Sequence, residues 1–206
     1  MEFKPHNYQR YVTDKMIELP FMGAWLDMGL GKTVCTLTAL YELKYHRFCI
    51  RKALVIAPKK VAENTWSAEA AKWDHLRGLR LSVVLGTAKQ RIRALQEPAD
   101  VYIINRENVQ WIVRLHGSEW PFDVVILDES TSFKNHQAKR FRALRAVRPK
   151  ISRLIELTGT PSPHGLMDLW SQVYLLDGGQ RLGRTISVYR DIYFIPDKRS
   201  RTTIFS

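Results

Sequence analysis

The sequence predicts an α/β fold, a three-layer domain with a mostly parallel sheet and helices on both faces. Short apolar runs of strand character recur along the chain with helix-like segments between most of them, the alternation that builds a covered parallel sheet. The first run also ends in a glycine-rich turn that opens directly into a helix, Leu26-Asp-Met-Gly-Leu-Gly-Lys-Thr33. Such a turn offers helix N-terminal amides to an anion.

Taken in order, residues 21–26 read as a short buried strand. Residues 33–46 read as a helix, because Val34, Leu37, Leu40 and Leu43 fall along one stripe. Further strand-like runs lie at residues 53–57, 81–85, 101–104, 124–127 and 153–157. In a sheet of this type ligands bind at the carboxyl ends of the strands, so the residues just after each run carry most of the functional evidence. From Gln180 onward the chain becomes basic and aromatic with no clear strand, as in Tyr189-Arg-Asp-Ile-Tyr-Phe194. No internal repeat or low-complexity linker interrupts it.

At 206 residues and 45% hydrophobic composition the chain can bury a sizeable core. No apolar run approaches the roughly 20 residues of a membrane span, and Met1-Glu-Phe-Lys-Pro5 lacks the apolar core of a signal peptide. The expectation is a soluble intracellular protein without a membrane partner. Cys35 and Cys49 are too few and too loosely spaced for a zinc site or a disulfide framework. A formal charge of +12 favours a polyanionic partner, nucleic acid first, although solubility or an acidic protein partner would also account for it. From Lys134 to Arg153 there are eight basic residues and no acidic one. Phe141 and Leu144 in this run are spaced for burial, and Lys139, Arg142 and Arg145 lie elsewhere on the helix, as a solvated face or a nucleic-acid contact.

The chemistry concentrates after three strands. Gly29 and Gly31 allow backbone amides to approach an anion closely. Lys32 would contact the β- and γ-phosphates of a nucleotide, and the Thr33 hydroxyl would ligate Mg2+. The usual phosphate-loop pattern asks for glycine at position 26, where this chain has Leu26, so a simple helix-capping turn stays open on this loop alone. After the run at 124–127 come Asp128 and Glu129. Asp128 can hold hydrated Mg2+ and Glu129 can orient and deprotonate an attacking water, or the pair can form an acidic cap for the next helix. After the run at 153–157, Thr158-Gly159-Thr160 sets two hydroxyls around a glycine. These can report the state of the γ-phosphate side to another surface, with Pro161 stiffening the exit.

The order of these segments resembles the Swi/Snf-related branch of the superfamily two helicases, ATP-driven translocases on duplex DNA, through most of the chain. The resemblance implies a RecA-like ATP-binding lobe over residues 1–179 and the start of an inter-lobe insertion over 180–206. It implies that Gln9, in Asn7-Tyr8-Gln9, reads the adenine edge, and that Met28, Gly29, Leu30, Gly31, Lys32 and Thr33 form the family's phosphate loop, which needs no glycine at position 26. Ala57-Pro-Lys-Lys60, with Trp66 and Glu69 downstream, is similar to the segment that touches the DNA backbone, and Ile104-Asn-Arg-Glu107 falls at a further contact motif. Lys59, Lys60 and Arg106 are therefore the nucleic-acid candidates. Asp128-Glu-Ser-Thr131 matches the Asp-Glu box, with Thr131 where histidine is commoner, and Lys134-Asn135 follows at the family's spacing. Leu157-Thr-Gly-Thr-Pro161 matches the coupling motif.

The continuation from Gly165 through Gly179, and Tyr193-Phe194, is similar to phage-encoded members. That likeness implies a bacterial cytoplasmic setting. The family also needs a second RecA-like lobe carrying arginines that complete the active site, and no segment after Phe194 reads as one. The expectation is ATP binding with Mg2+ and weak turnover, duplex DNA ahead of RNA as partner, and a second lobe encoded separately or further along. An RNA-directed helicase of the same superfamily and a non-catalytic binding module that keeps the nucleotide fold stand as the alternatives.

Overall fold

The computed structural model describes residues 1–196 and 203–205. Six strands, β1 (Phe21–Trp25), β2 (Ala53–Ala57), β3 (Leu81–Val83), β4 (Val101–Asn105), β5 (Val124–Asp128) and β6 (Arg153–Thr158), form one sheet in the order β1-β6-β5-β2-β4-β3. Every pairing in it is parallel. The central strands are buried on both faces, which is why they read as continuous apolar runs without alternation.

One face of the sheet, with Ala53, Val55, Val101, Ile103, Ile126 and Ile155, packs under α1 (Asn7–Glu18), α2 (Lys32–Tyr41) and α3 (Trp66–Lys72). The other, with Leu54, Ile56, Tyr102, Val125, Leu127 and Leu154, packs under α4 (Ala88–Gln96), α5 (Val109–His116), α6 (Lys139–Val147), α7 (Leu169–Asp177) and α8 (Ile186–Tyr193). The three layers of the expected architecture are therefore present. The strand order also has a functional consequence. β1, β6 and β5 are neighbours, so the loops leaving their carboxyl ends emerge side by side, while the loops after β2 and β4 emerge on the other half.

Two local readings need correction. The helix read at 33–46 is α-helical only over Lys32–Tyr41 and widens into a π-helical turn over Glu42–His46. The segment after Gln180 does carry strand: Phe194–Pro196 (β7) pairs antiparallel with Thr203–Phe205 (β8) as a separate two-stranded ribbon. Ribbon and α8 are anchored to the domain by Tyr189 and Phe194, which are buried in the second core. Residues 197–202 and 206, part of the expected insertion, lie outside the described residues.

The basic run buries Phe141 and Leu144 and exposes Lys139, Arg142 and Arg145, as its spacing predicts, while other cations of the run are held by the domain. Arg148 donates from Nε and Nη2 to the Leu175 and Leu176 carbonyls at 2.8 and 2.6 Å. Lys150 reaches the Ser118 carbonyl at 2.9 Å, and Arg153 reaches the Met16 and Leu19 carbonyls. The α7 carbonyls and those of Met16 and Leu19 lie at the C-terminal ends of α7 and α1, where the helix leaves its last oxygens unpaired and the dipole favours a cation, and Ser118 lies just past the end of α5. Four of the eight cations are thus tied to distant parts of the domain, Lys134 included through its ion pair with Asp168 at 3.2 Å, and Arg142 bonds locally to the Gln137 carbonyl at 3.0 and 2.7 Å.

Candidate functional site

The phosphate loop begins where β1 ends. Leu26 N still donates to Thr158 O at 3.1 Å, extending the β1–β6 ladder, and then the chain turns through Gly29 at φ +82 and Gly31 at φ +78. Gly31 is required on two counts. Its backbone is left-handed, and a Cβ there would meet Gln9 Nε2 at 2.5 Å. Gly31 also serves as N-cap of α2 with no side-chain cap, which leaves the first-turn amides to an incoming anion.

Two contacts pin this loop. Gln9, buried on α1, donates from Nε2 to Leu30 O at 3.3 Å, and its Oε1 accepts from His6 N at 2.9 Å. Lys32 Nζ folds back to the carbonyls of Leu26 and Asp27 at 2.6 and 2.9 Å. Met28 stands out at 82% exposure at the loop's tip.

At the end of β5, Asp128 Oδ2 accepts a hydrogen bond from Trp66 Nε1 at 2.9 Å. Burial pushes the Asp128 carboxyl above its ordinary range and the neighbouring Glu129 charge pushes the same way, while the Trp66 N–H and the Lys32 ammonium oppose them. Glu129 adopts φ +57, a left-handed backbone in a residue with a side chain. Strain of this kind costs about 1–3 kcal/mol and concentrates at functional loops. Ser130 is fully buried and donates to Gln172 Oε1 at 2.8 Å.

At the end of β6, buried Thr158 offers Oγ1 to Thr160 N at 3.2 Å. A Cβ on Gly159 would lie 3.5 Å from Leu26 O and 3.6 Å from Met28 N, so this loop packs directly on the start of the phosphate loop. Gly29–Thr33, Asp128–Glu129 and Thr158–Thr160 are therefore assembled at one corner, with Gln9 behind them.

Lys59, Lys60 and Arg106 do not join that corner. They follow β2 and β4, strands that pair with each other. Lys59 and Arg106 have exposed carboxylate neighbours, Glu63 at 3.8 Å and Glu107 at 3.1 Å. Exposed pairs of this kind are weak and exchange readily for another anion. Two functional contacts escaped the sequence. The sequence gives no sign of the Trp66 indole reaching Asp128. Gln172 left a faint one, a polar pair, Ser171-Gln172, inside an otherwise apolar helix.

The residues fit a magnesium nucleotide. Thr33, Asp128 and Glu129 supply hard oxygen donors, suited to a cation that keeps most of its waters and takes one or two protein oxygens. Among the described residues no group of three or more His, Cys, Asp or Glu forms a self-sufficient metal cage.

Comparison with known proteins points the same way. The model of the SNF2-related domain matches residues 25–189. Putative protein p41 of Acyrthosiphon pisum secondary endosymbiont phage 1 is 41% identical over 198 residues, covering 93% of this chain and 43% of that protein. The mouse DNA excision repair protein ERCC-6-like is 34% identical over 183 residues, covering 85% and 14%. The structure of a Sulfolobus solfataricus SWI2/SNF2 ATPase core in complex with dsDNA superposes with a TM-score of 0.76 at 27% identity, covering 94% of this chain and 39% of that one. The chain thus spans less than half the length of these relatives.

Proposed function

Because the chain belongs to the SNF2-related domain family, we propose that it is the ATP-binding, DNA-contacting N-terminal lobe of an ATP-dependent DNA translocase. Residues 1–179 are the RecA-like lobe in this reading and residues 180–206 begin an insertion. The observation that carries it is the β1-β6-β5 adjacency, which gathers a phosphate cradle, a carboxylate pair and a threonine loop from three distant stretches of sequence.

In this reading the α2 amides and Lys32 hold the β- and γ-phosphates, and Gln9 reads the base. Lys32 exchanges the Leu26 and Asp27 carbonyls for phosphate oxygens, a charge-assisted and stronger pairing. Thr33 and Asp128 hold Mg2+, which supplies neutralisation of phosphate charge when bound. Glu129 orients the attacking water and takes its proton, Pi and ADP being the products. Thr158, Gly159 and Thr160 pass the state of the site onward. Lys59, Lys60 and Arg106 meet the phosphodiester backbone, and the dsDNA complex of the SWI2/SNF2 neighbour supports duplex DNA as the partner.

A second lobe, in the same polypeptide or another, completes the site, since losing an arginine finger costs on the order of 10³ to 10⁵ in rate. The phage relative supports a bacterial cytoplasmic setting. Equilibrium binding of a fluorescent ATP analogue with Mg2+, compared with Lys32→Ala, tests the reading, and loss of binding in the variant is expected. Vigorous DNA-stimulated ATPase activity from these 206 residues alone, abolished by Lys32→Ala, would contradict the need for a second lobe.

A further inference from the structure

Gln172 joins two of the loops at this site. It lies on α7, fully buried, and its amide is completely used. Oε1 accepts from Ser130 Oγ at 2.8 Å, and Nε2 donates to Pro161 O at 2.6 Å and Asp168 O at 3.0 Å. A carboxamide has two donor hydrogens and an acceptor oxygen, so with both hydrogens given to carbonyls the Ser130 hydroxyl must be the donor. One end of this chain of bonds is the residue after strained Glu129. The other is the residue after Thr160.

α7 and its N-cap residue Asp168 brace the same two segments. Ser171 Oγ donates to Lys134 O at 2.8 Å, and the Asp168 carboxylate takes both His164 N at 3.1 Å and Lys134 Nζ at 3.2 Å. In a buried network neither end moves alone, because an abandoned hydroxyl or carbonyl is left unpaired in a low-dielectric interior. The left-handed backbone of Glu129 likewise persists only where its surroundings over-determine it, and the Ser130 anchor is one such constraint.

We propose that Gln172 is a positioning residue that couples the Glu129 loop to the Thr158-Gly159-Thr160 loop, so that nucleotide at the phosphate site orders residues 159–165 through the Ser130–Gln172–Pro161 hydrogen bonds. This rests on the ATP-binding reading above. A purely structural Gln172 predicts something different: lower stability with the ATP response intact.

The test is hydrogen exchange of the 206-residue chain with and without ATP and Mg2+, alongside ATP affinity, for the unaltered chain, Gln172→Met and Ser130→Ala. In the unaltered chain ATP should slow exchange by about tenfold at residues 29–33 and at 159–165, the scale of one well-made hydrogen bond. Both variants should keep ATP affinity within about threefold and slowing at 29–33, while slowing at 159–165 falls below about twofold. The double variant should add nothing further, because both changes cut one path.

Slowing at 159–165 that survives in ATP-binding variants overturns the proposal and assigns the coupling to the Gly159 contact with the phosphate loop. Equal loss at 29–33 and 159–165 also overturns it, as general damage. Should Gln172→Met not fold, Ser130→Ala and Gln172→Glu carry the same comparison. No ATP-dependent slowing at 29–33 in the unaltered chain defeats the functional reading itself, and this inference with it.

Discussion

Replacing Trp66 by Phe removes the indole N–H that Asp128 Oδ2 accepts at 2.9 Å, together with the five-membered ring that carries it, and keeps a phenyl ring in a fully buried position. A hydrogen bond to a charged acceptor is worth about 1.5–3 kcal/mol. Asp128 is mostly buried but keeps some solvent exposure, so water can partly replace the lost donor, and the lower end of that range applies. About 1.5 kcal/mol corresponds to roughly a tenfold change in an equilibrium. Because the indole N–H holds the Asp128 carboxylate in one orientation, the variant should show weaker Mg2+ dependence of ATP binding, by about tenfold if the full bond energy is lost.

Its ATP affinity in the absence of Mg2+ should be unchanged. The sign of the pH effect also follows. Burial already raises Asp128 and the Trp66 N–H opposes that rise, so the variant's carboxylate protonates at a higher pH. Its Mg2+ binding should therefore weaken earlier as pH falls. Fluorescent-nucleotide titrations over a series of Mg2+ concentrations at two pH values measure this, with thermal melting to confirm that Trp66→Phe folds. Identical Mg2+ dependence in a folded variant would refute the reasoning, as would an equal loss of affinity without Mg2+.

Glu156 sits on β6 at 0% exposure with neither carboxyl oxygen hydrogen-bonded, and burial raises it well above 4.5. Glu156→Leu should stabilise the fold by about 1–3 kcal/mol in urea unfolding. A carboxyl raised in the folded state contributes stability fully present below the unfolded value and lost as pH rises, so the unaltered chain should weaken above pH 4.5 and the variant should show a flatter profile. Arg148→Ala removes two bonds to the end of α7 and the packing of the guanidinium 4.5 Å over Phe21. It should cost about 1–3 kcal/mol, against about 0.5 or less for exposed Lys139→Ala, by the same unfolding measurement. DNA affinity should fall steeply with salt, and Lys59→Ala and Lys60→Ala should each reduce the log-log slope by about one unit; salt-independent binding would remove the basic surface from the interface.

The layered α/β architecture and the three loops proposed to bind nucleotide were legible in the amino-acid sequence. Continuous apolar runs of five or so residues, rich in Val and Ile and too short for helices, read as strands buried on both faces, and Gly31 and Lys32 mark a turn into a helix. These signals are local, so they survive without coordinates. Charge density within the basic run cannot tell Arg148, spent on the carbonyls of Leu175 and Leu176, from a side chain free to meet a phosphate.

Only the tertiary structure decided which loops meet. The order β1-β6-β5 brings Gly29–Thr33 against Gly159 and Lys32 toward Asp128, and it separates them from Lys59 and Arg106 on the other half of the sheet. It also supplied Trp66 and Gln172, 62 and 42 residues from the groups they hold. Hydrogen bonds across such separations depend on how helices seat on the sheet, and the sum of many packing contacts that fixes this leaves no mark at either residue alone.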